Sequence, residues 1–125
     1  MMLVPVKLDR SPNHGMGVFA TRFIPSGTEV WRFMAGFDLD LDPALVEAQP
    51  AHIRKVLMHY GYIDSRLRRY ILCCDDARFM NHSDDPNTRS DSSTDSYGVD
   101  IAVRDIAEGE EITTDYGLMD GQRPA

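Results

Sequence analysis

Cysteine is nearly absent from this 125-residue chain, and the two present, Cys73 and Cys74, are adjacent. Neighbouring cysteines rarely close a disulfide, because its geometry fixes the separation of the two Cβ atoms. No C-x-x-C spacing occurs. Neither a disulfide framework nor a cysteine zinc site is therefore written here. Long apolar runs are also missing: none approaches the roughly 20 residues of a membrane helix. Pro5 and Lys7 break the apolar stretch that a signal peptide needs. A cytoplasmic protein without membrane contact is expected. Positive charge is scarce, with 13 Lys and Arg against 20 Asp and Glu and a net charge of -7. A nucleic-acid groove needs a basic surface, so direct nucleic-acid binding is not expected. The acid excess suits a basic peptide partner. It equally suits a merely soluble surface.

What is present is an ordinary globular composition, 42% hydrophobic and 26% charged, with no repeat and no linker. One domain over residues 1–125 is expected. Residues 3–8, 17–22 and 29–34 read as short strands separated by turn signals, an irregular β framework. Asp42 and Pro43 then mark a helix start, cap followed by first-turn proline. Pro50 breaks that helix and opens a second. There Ile53, Val56, Leu57 and Tyr60 share one face, and Gly61 is placed to end it. The helical insert thus covers about residues 42–61. Residues 69–74 read as a buried strand, 84–96 as an exposed polar loop and 97–104 as a strand. A turn over 106–111 leads to a last strand over 112–116. Residues 118–125 read as a short mobile tail.

Three stretches could carry chemistry. Gly15-Met16-Gly17 lets the backbone approach a ligand closely, although a plain turn explains it as well. No dinucleotide fingerprint is present, since the third glycine is missing and a strand follows. The segment from Arg78 to Asn87 crowds Asn81, His82, Ser83 and Asn87 behind a buried strand. Turn capping explains such residues, and so does a polar pocket. A metal site on His82, Asp84 and Asp85 would need an unusual loop. The third stretch runs from Gly109 through Glu110, Glu111 and Asp115 to Tyr116. Asp115 reads as a turn residue, and Glu110 and Glu111 as surface turn residues.

Taken together and in this order, these stretches resemble the SET-domain protein lysine methyltransferases. That family runs from a Gly-x-Gly segment leading into Val, Phe and Ala, through Arg-Phe-x-Asn-His-Ser-x-x-Pro-Asn, to Gly-Glu-Glu-Ile-Thr-x-Asp-Tyr. Here these are residues 15–20, 78–87 and 109–116. The resemblance spans about residues 5–117. It implies a mostly β, β-clip-like fold of several small curved sheets, with a knot-like C-terminal crossing. It implies S-adenosylmethionine as cofactor, and methyl transfer to a lysine amine of a basic protein or peptide, such as a histone-like or ribosomal tail. By the same resemblance Met16, Gly17, Arg78, Asn81, His82 and Tyr116 hold the cofactor. Tyr116 is then the catalytic tyrosine, and Tyr60, Tyr62 and Thr114 line the lysine channel.

Two departures stand out. Many members have a cysteine after Asn-His-Ser that joins three C-terminal cysteines on zinc and closes the channel. This chain has Asp84 there, and no cysteine follows. No metal is expected. The tail, the loop near Tyr97, or a second subunit in a homodimer would close the channel. Thr114 stands where many members carry Phe or Tyr, and a smaller residue leaves room for more than one methyl. Two other readings stay open: a SET-like binding module without turnover, and a metal-dependent hydrolase on His82 and Asp84.

Overall fold

The computed structural model describes residues 1–64 and 66–116. Its chain opens with β1 (Val6–Arg10) and β2 (Met16–Ala20), an antiparallel pair in which Leu8 faces Val18. β3 (Glu29–Arg32) and β4 (Leu39–Leu41) follow, then α1 (Pro43–Glu47) and α2 (Ala51–Tyr60). Next come β5 (Tyr62–Asp64), β6 (Arg69–Leu72) and a single 3₁₀ turn (Asp76–Phe79). The chain continues through β7 (Asn81–His82), β8 (Thr88–Asp91), β9 (Val99–Ala102) and β10 (Glu111–Thr114). Among the described residues the strands form three small sheets, ordered β1-β2-β10-β7, β3-β9-β8 and β4-β6-β5. The fold is mostly β with a short helical insert, as the resemblance implies. Among the described residues no helix is long and apolar enough to cross a membrane.

Two apolar clusters hold the sheets together. The larger gathers Val18, Ala20, Ile24, Val30, Ile106 and Ile112, nearly all of them solvent-free. β-Branched residues suit the half-buried face of a pleated sheet, and fully burying one side chain contributes about 1.5–3 kcal/mol. The smaller cluster is Trp31, Tyr62, Ile71, Cys73 and Ala77. Buried Asp38 joins distant segments there. It accepts hydrogen bonds from the Met34 and Cys74 amides and from the Met1 amino group. Burial alone would raise its pKa, but these donors outweigh burial and lower it.

The helical insert starts as its sequence requires. The Asp42 carboxylate accepts the Ala44 N–H at 2.9 Å, Pro43 takes the first turn, and Val46 is 1% exposed. α2 has the expected bounds, yet none of its residues is fully buried. Ile53 and Val56 are 37% and 52% exposed, while Leu57 and Tyr60 are half-buried. The 3.6-residue period shows that a helix forms, not how deeply it sinks. Gly61 ends α2 in extended backbone rather than the left-handed cap. Its role is steric, since a Cβ would lie 2.9 Å from the carbonyl oxygens of both Leu57 and Ile71. The polar stretch 84–96 is not wholly a loop: Thr88–Asp91 pairs with β9, and Thr88 is 1% exposed.

Candidate active site

The site is built on β10, which lies between β2 and β7. It runs antiparallel to β2, with Ile112 opposite Val18, and parallel to β7, with Thr113 opposite Asn81 and Thr114 opposite His82. The polar motif and the C-terminal motif are therefore neighbours in space. Asn87 ties the two motifs together. Its Oδ1 accepts the Thr113 N–H at 2.9 Å, and its Nδ2 donates to the Glu111 carbonyl at 2.8 Å and to Glu110 Oε2 at 3.1 Å. The Thr88 hydroxyl donates to the Thr113 carbonyl at 2.8 Å. At 2% exposure Asn87 has no water to fall back on, so its side-chain amide depends on these protein partners.

Tyr116 is positioned from both ends. Its hydroxyl donates to the Met80 carbonyl at 2.6 Å, and its backbone N–H donates to His82 Nδ1 at 3.0 Å. The two rings sit 5.4 Å apart at 52°. A ring nitrogen that accepts leaves the proton on the other, so the network assigns the His82 proton to Nε2. That nitrogen lies 2.9 Å from Asp84 Oδ1. The structure thus engages the His82 side chain in seating Tyr116.

Asn81 faces the hairpin. Its Nδ2 lies 3.0 Å from the carbonyls of both His14 and Met16, and 2.8 Å from Glu111 Oε2. Glu111 Oε1 accepts the Ser11 hydroxyl at 2.8 Å and the Asn13 amide at 3.1 Å. Gly17 is what lets this carboxylate in, because a Cβ there would stand 2.3 Å from Glu111 Oε2. The reading of Glu110 and Glu111 as surface turn residues is therefore corrected. Both are half-buried, and both carboxylates accept hydrogen bonds from the β10 surroundings. A paired Glu-Glu beside a glycine reads as a turn because sequence spacing cannot show that Asn81 and Asn87 supply the missing donors.

Met16, Gly17, Asn81, His82, Thr114 and Tyr116 therefore converge around β10. The remaining sequence candidates are Arg78, Tyr60 and Tyr62. Arg78 donates from Nε and Nη2 to the Cys73 carbonyl, and its guanidinium lies 5.2 Å from the centre of the Tyr60 ring. Tyr60 also meets Phe79 edge-on at 5.8 Å. Tyr62 is 6% exposed within the smaller core cluster. Residues 117–125, including the tail expected to be mobile, lie outside the described residues. Among the described residues no three His, Cys, Asp or Glu side chains converge as a metal ion requires.

One polar aromatic cluster was not visible in sequence. Phe33 and Tyr97 stack at 4.0 Å, and the Tyr97 hydroxyl donates to Asp40, which also takes Arg69 Nε at 2.5 Å. Burial works against the Asp40 carboxylate, but Tyr97 and Arg69 outweigh it and lower its pKa. The same hydrogen bond, aided by burial, raises that of Tyr97. The partners are 57 residues apart, which no local spacing could reveal.

Chains of known structure share this fold. A candidate histone methyltransferase from Plasmodium falciparum superimposes with a TM-score of 0.63 at 19% identity, over 93% of this chain and 96% of that one. A humanised mutant of the Chaetomium thermophilum Polycomb Repressive Complex 2, bound to the inhibitor GSK126, gives a TM-score of 0.63 at 21% identity. There the match covers 91% of this chain and 15% of the other. At these identities the likeness is one of fold. A comparison with curated proteins finds no match. The model of the SET domain family matches residues 15–117 and includes every candidate residue on β2, β7 and β10. The chain belongs to the SET domain family.

Proposed function

We propose that this chain is a protein lysine methyltransferase that uses S-adenosylmethionine. The observation that carries the reading is the seating of Tyr116, with its hydroxyl on the Met80 carbonyl and its backbone on His82 where β7 and β10 meet. The hairpin side of the site fits a cationic, amphiphilic cofactor. The His14 and Met16 carbonyls are acceptors that Asn81 orients, and Met16 is 42% exposed beside them. The backbone of Met16 and Gly17 would hold the methionine part, and Asn81 and His82 the amino and adenine ends. When bound, S-adenosylmethionine supplies an electrophilic methyl group on a sulfonium.

The chain's own contribution is alignment. A lysine amine attacks only when neutral, and its reference pKa of about 10.4 lies some three units above neutrality. A desolvated, aromatic entry disfavours the ammonium and lowers that pKa, so the proton leaves to water before transfer. The Tyr116 hydroxyl oxygen and the Met80 carbonyl can accept weak C–H···O contacts and orient the reacting groups. Thr114, 3% exposed and paired with His82, sets the room beside them. The net charge of -7 favours a basic peptide as substrate.

Incubation with isotopically labelled S-adenosylmethionine and a panel of basic peptides, read by mass spectrometry, tests this. Methyl-lysine should form, and Tyr116→Phe should slow it by about 10²-fold, the scale of a lost alignment. Cofactor or peptide binding with no turnover by the unaltered chain would make this a binding module instead.

A further inference from the structure

Three segments far apart in sequence converge at the hairpin loop: Ser11 and Asn13 of the loop itself, Asn81 of β7 and Glu111 of β10. The loop closes on itself through Ser11, whose N–H donates to the Gly15 carbonyl at 2.7 Å and whose hydroxyl accepts the Asn13 N–H at 3.0 Å. Asn81 holds the loop against β7 through the His14 and Met16 carbonyls, and Glu111 holds it against β10. One carboxylate oxygen takes Ser11 and Asn13 from the loop, and the other takes Asn81 from β7. Asn81 in turn reaches back to the His14 and Met16 carbonyls. The result is a closed ring of hydrogen bonds with one side chain at its centre. Gly17 is bare at the point where the carboxylate passes.

We infer that Glu111 is the positioning residue of the cofactor site, setting cofactor affinity through the loop and Asn81 without touching the reacting atoms. The inference rests on the proposed cofactor use. Its physical basis is preorganisation: a loop already ordered does not have to be ordered on binding, so affinity is gained with no new contact. A carboxylate suits the post because it accepts on both oxygens, whereas a glutamine can keep only part of the ring. An aspartate is one methylene shorter and falls short of the loop donors.

The test has two arms. In the free protein, amide exchange followed by NMR should show faster exchange at Asn13 and His14 in Glu111→Ala. In calorimetry, Glu111→Ala should bind S-adenosylmethionine about tenfold more weakly, with kcat at saturating cofactor within about threefold of the unaltered chain. Glu111→Gln should recover most of the affinity. The double variant Ser11→Ala/Asn13→Ala cuts the same ring from the loop side, leaves β10 intact, and should weaken binding in the same direction. Equal affinities in all these chains, or a fall in kcat with unchanged affinity, would overturn the inference alone. An unaltered chain that binds no S-adenosylmethionine would overturn the functional reading and this inference with it.

Discussion

At the scale of single residues, the site depends on polar groups that have no substitute partner. Asn87 is the clearest case. Replacing it with alanine removes the acceptor of the buried Thr113 N–H, and the donors of the half-buried Glu110 carboxylate and the Glu111 carbonyl. Each buried group left unpaired costs about 1–3 kcal/mol. Asn87→Ala should therefore lower unfolding free energy by at least about 2 kcal/mol in a urea titration, and a loss under about 0.5 kcal/mol would contradict this account. Gly17→Ala is the matching steric test. The new methyl would meet Glu111 Oε2, so the carboxylate must move off Asn81. The expected result is a chain that still folds, with weakened cofactor binding by calorimetry. The Gly-x-Gly pattern signals close approach in the sequence, but it cannot say that the approaching group is a carboxylate from the last strand.

Elements show where pattern and depth part company. α1 and α2 were both legible: Asp42, Pro43 and Pro50 are local signals, and local signals survive folding. Asp42→Ala should cost about 1 kcal/mol through the lost cap. Val46→Ala should cost about 2 kcal/mol, because the residue is buried. Val56→Ala on α2 should stay within about 0.5 kcal/mol, since the side chain is already in water. Urea midpoints of the three variants check the ordering, and a Val56 loss equal to that of Val46 would contradict it. β8 was the element hidden from view. Thr-Arg-Ser-Asp carries no apolar alternation, and its strand exists because β9 pairs with it and Thr88 docks on β10. Such non-local support leaves no trace in a window of a few residues. The convergence of Asn81, His82 and Tyr116 became readable only because three motifs stood in a recognisable order.

For the molecule as a whole, charge placement sets the pH range of stability. The Asp40–Tyr97 hydrogen bond needs an ionised carboxylate and a protonated phenol. The Asp40 pKa is lowered on folding, so its contribution is complete above the unfolded value near 4 and is lost as pH falls through the folded value. The Tyr97 pKa is raised, so its contribution is complete below the unfolded value near 10 and is lost as pH climbs through the folded one. Thermal midpoints should fall at both extremes. Asp40→Asn should flatten the alkaline decline in particular, and an unchanged alkaline decline would remove this pair from the account.

The placement of β10 has one more consequence, which concerns synthesis. A strand inserted between two others that precede it in the chain cannot be replaced by anything upstream. During translation the hairpin, β7 and Asn87 leave the ribosome with their partner still unmade. A nascent chain stalled before Glu111 should therefore remain protease-sensitive, and one stalled with residues 111–116 fully outside the exit tunnel should acquire resistance in a single step. The candidate site would have no partly assembled precursor: β10 completes the β1-β2-β10-β7 sheet and the candidate site together.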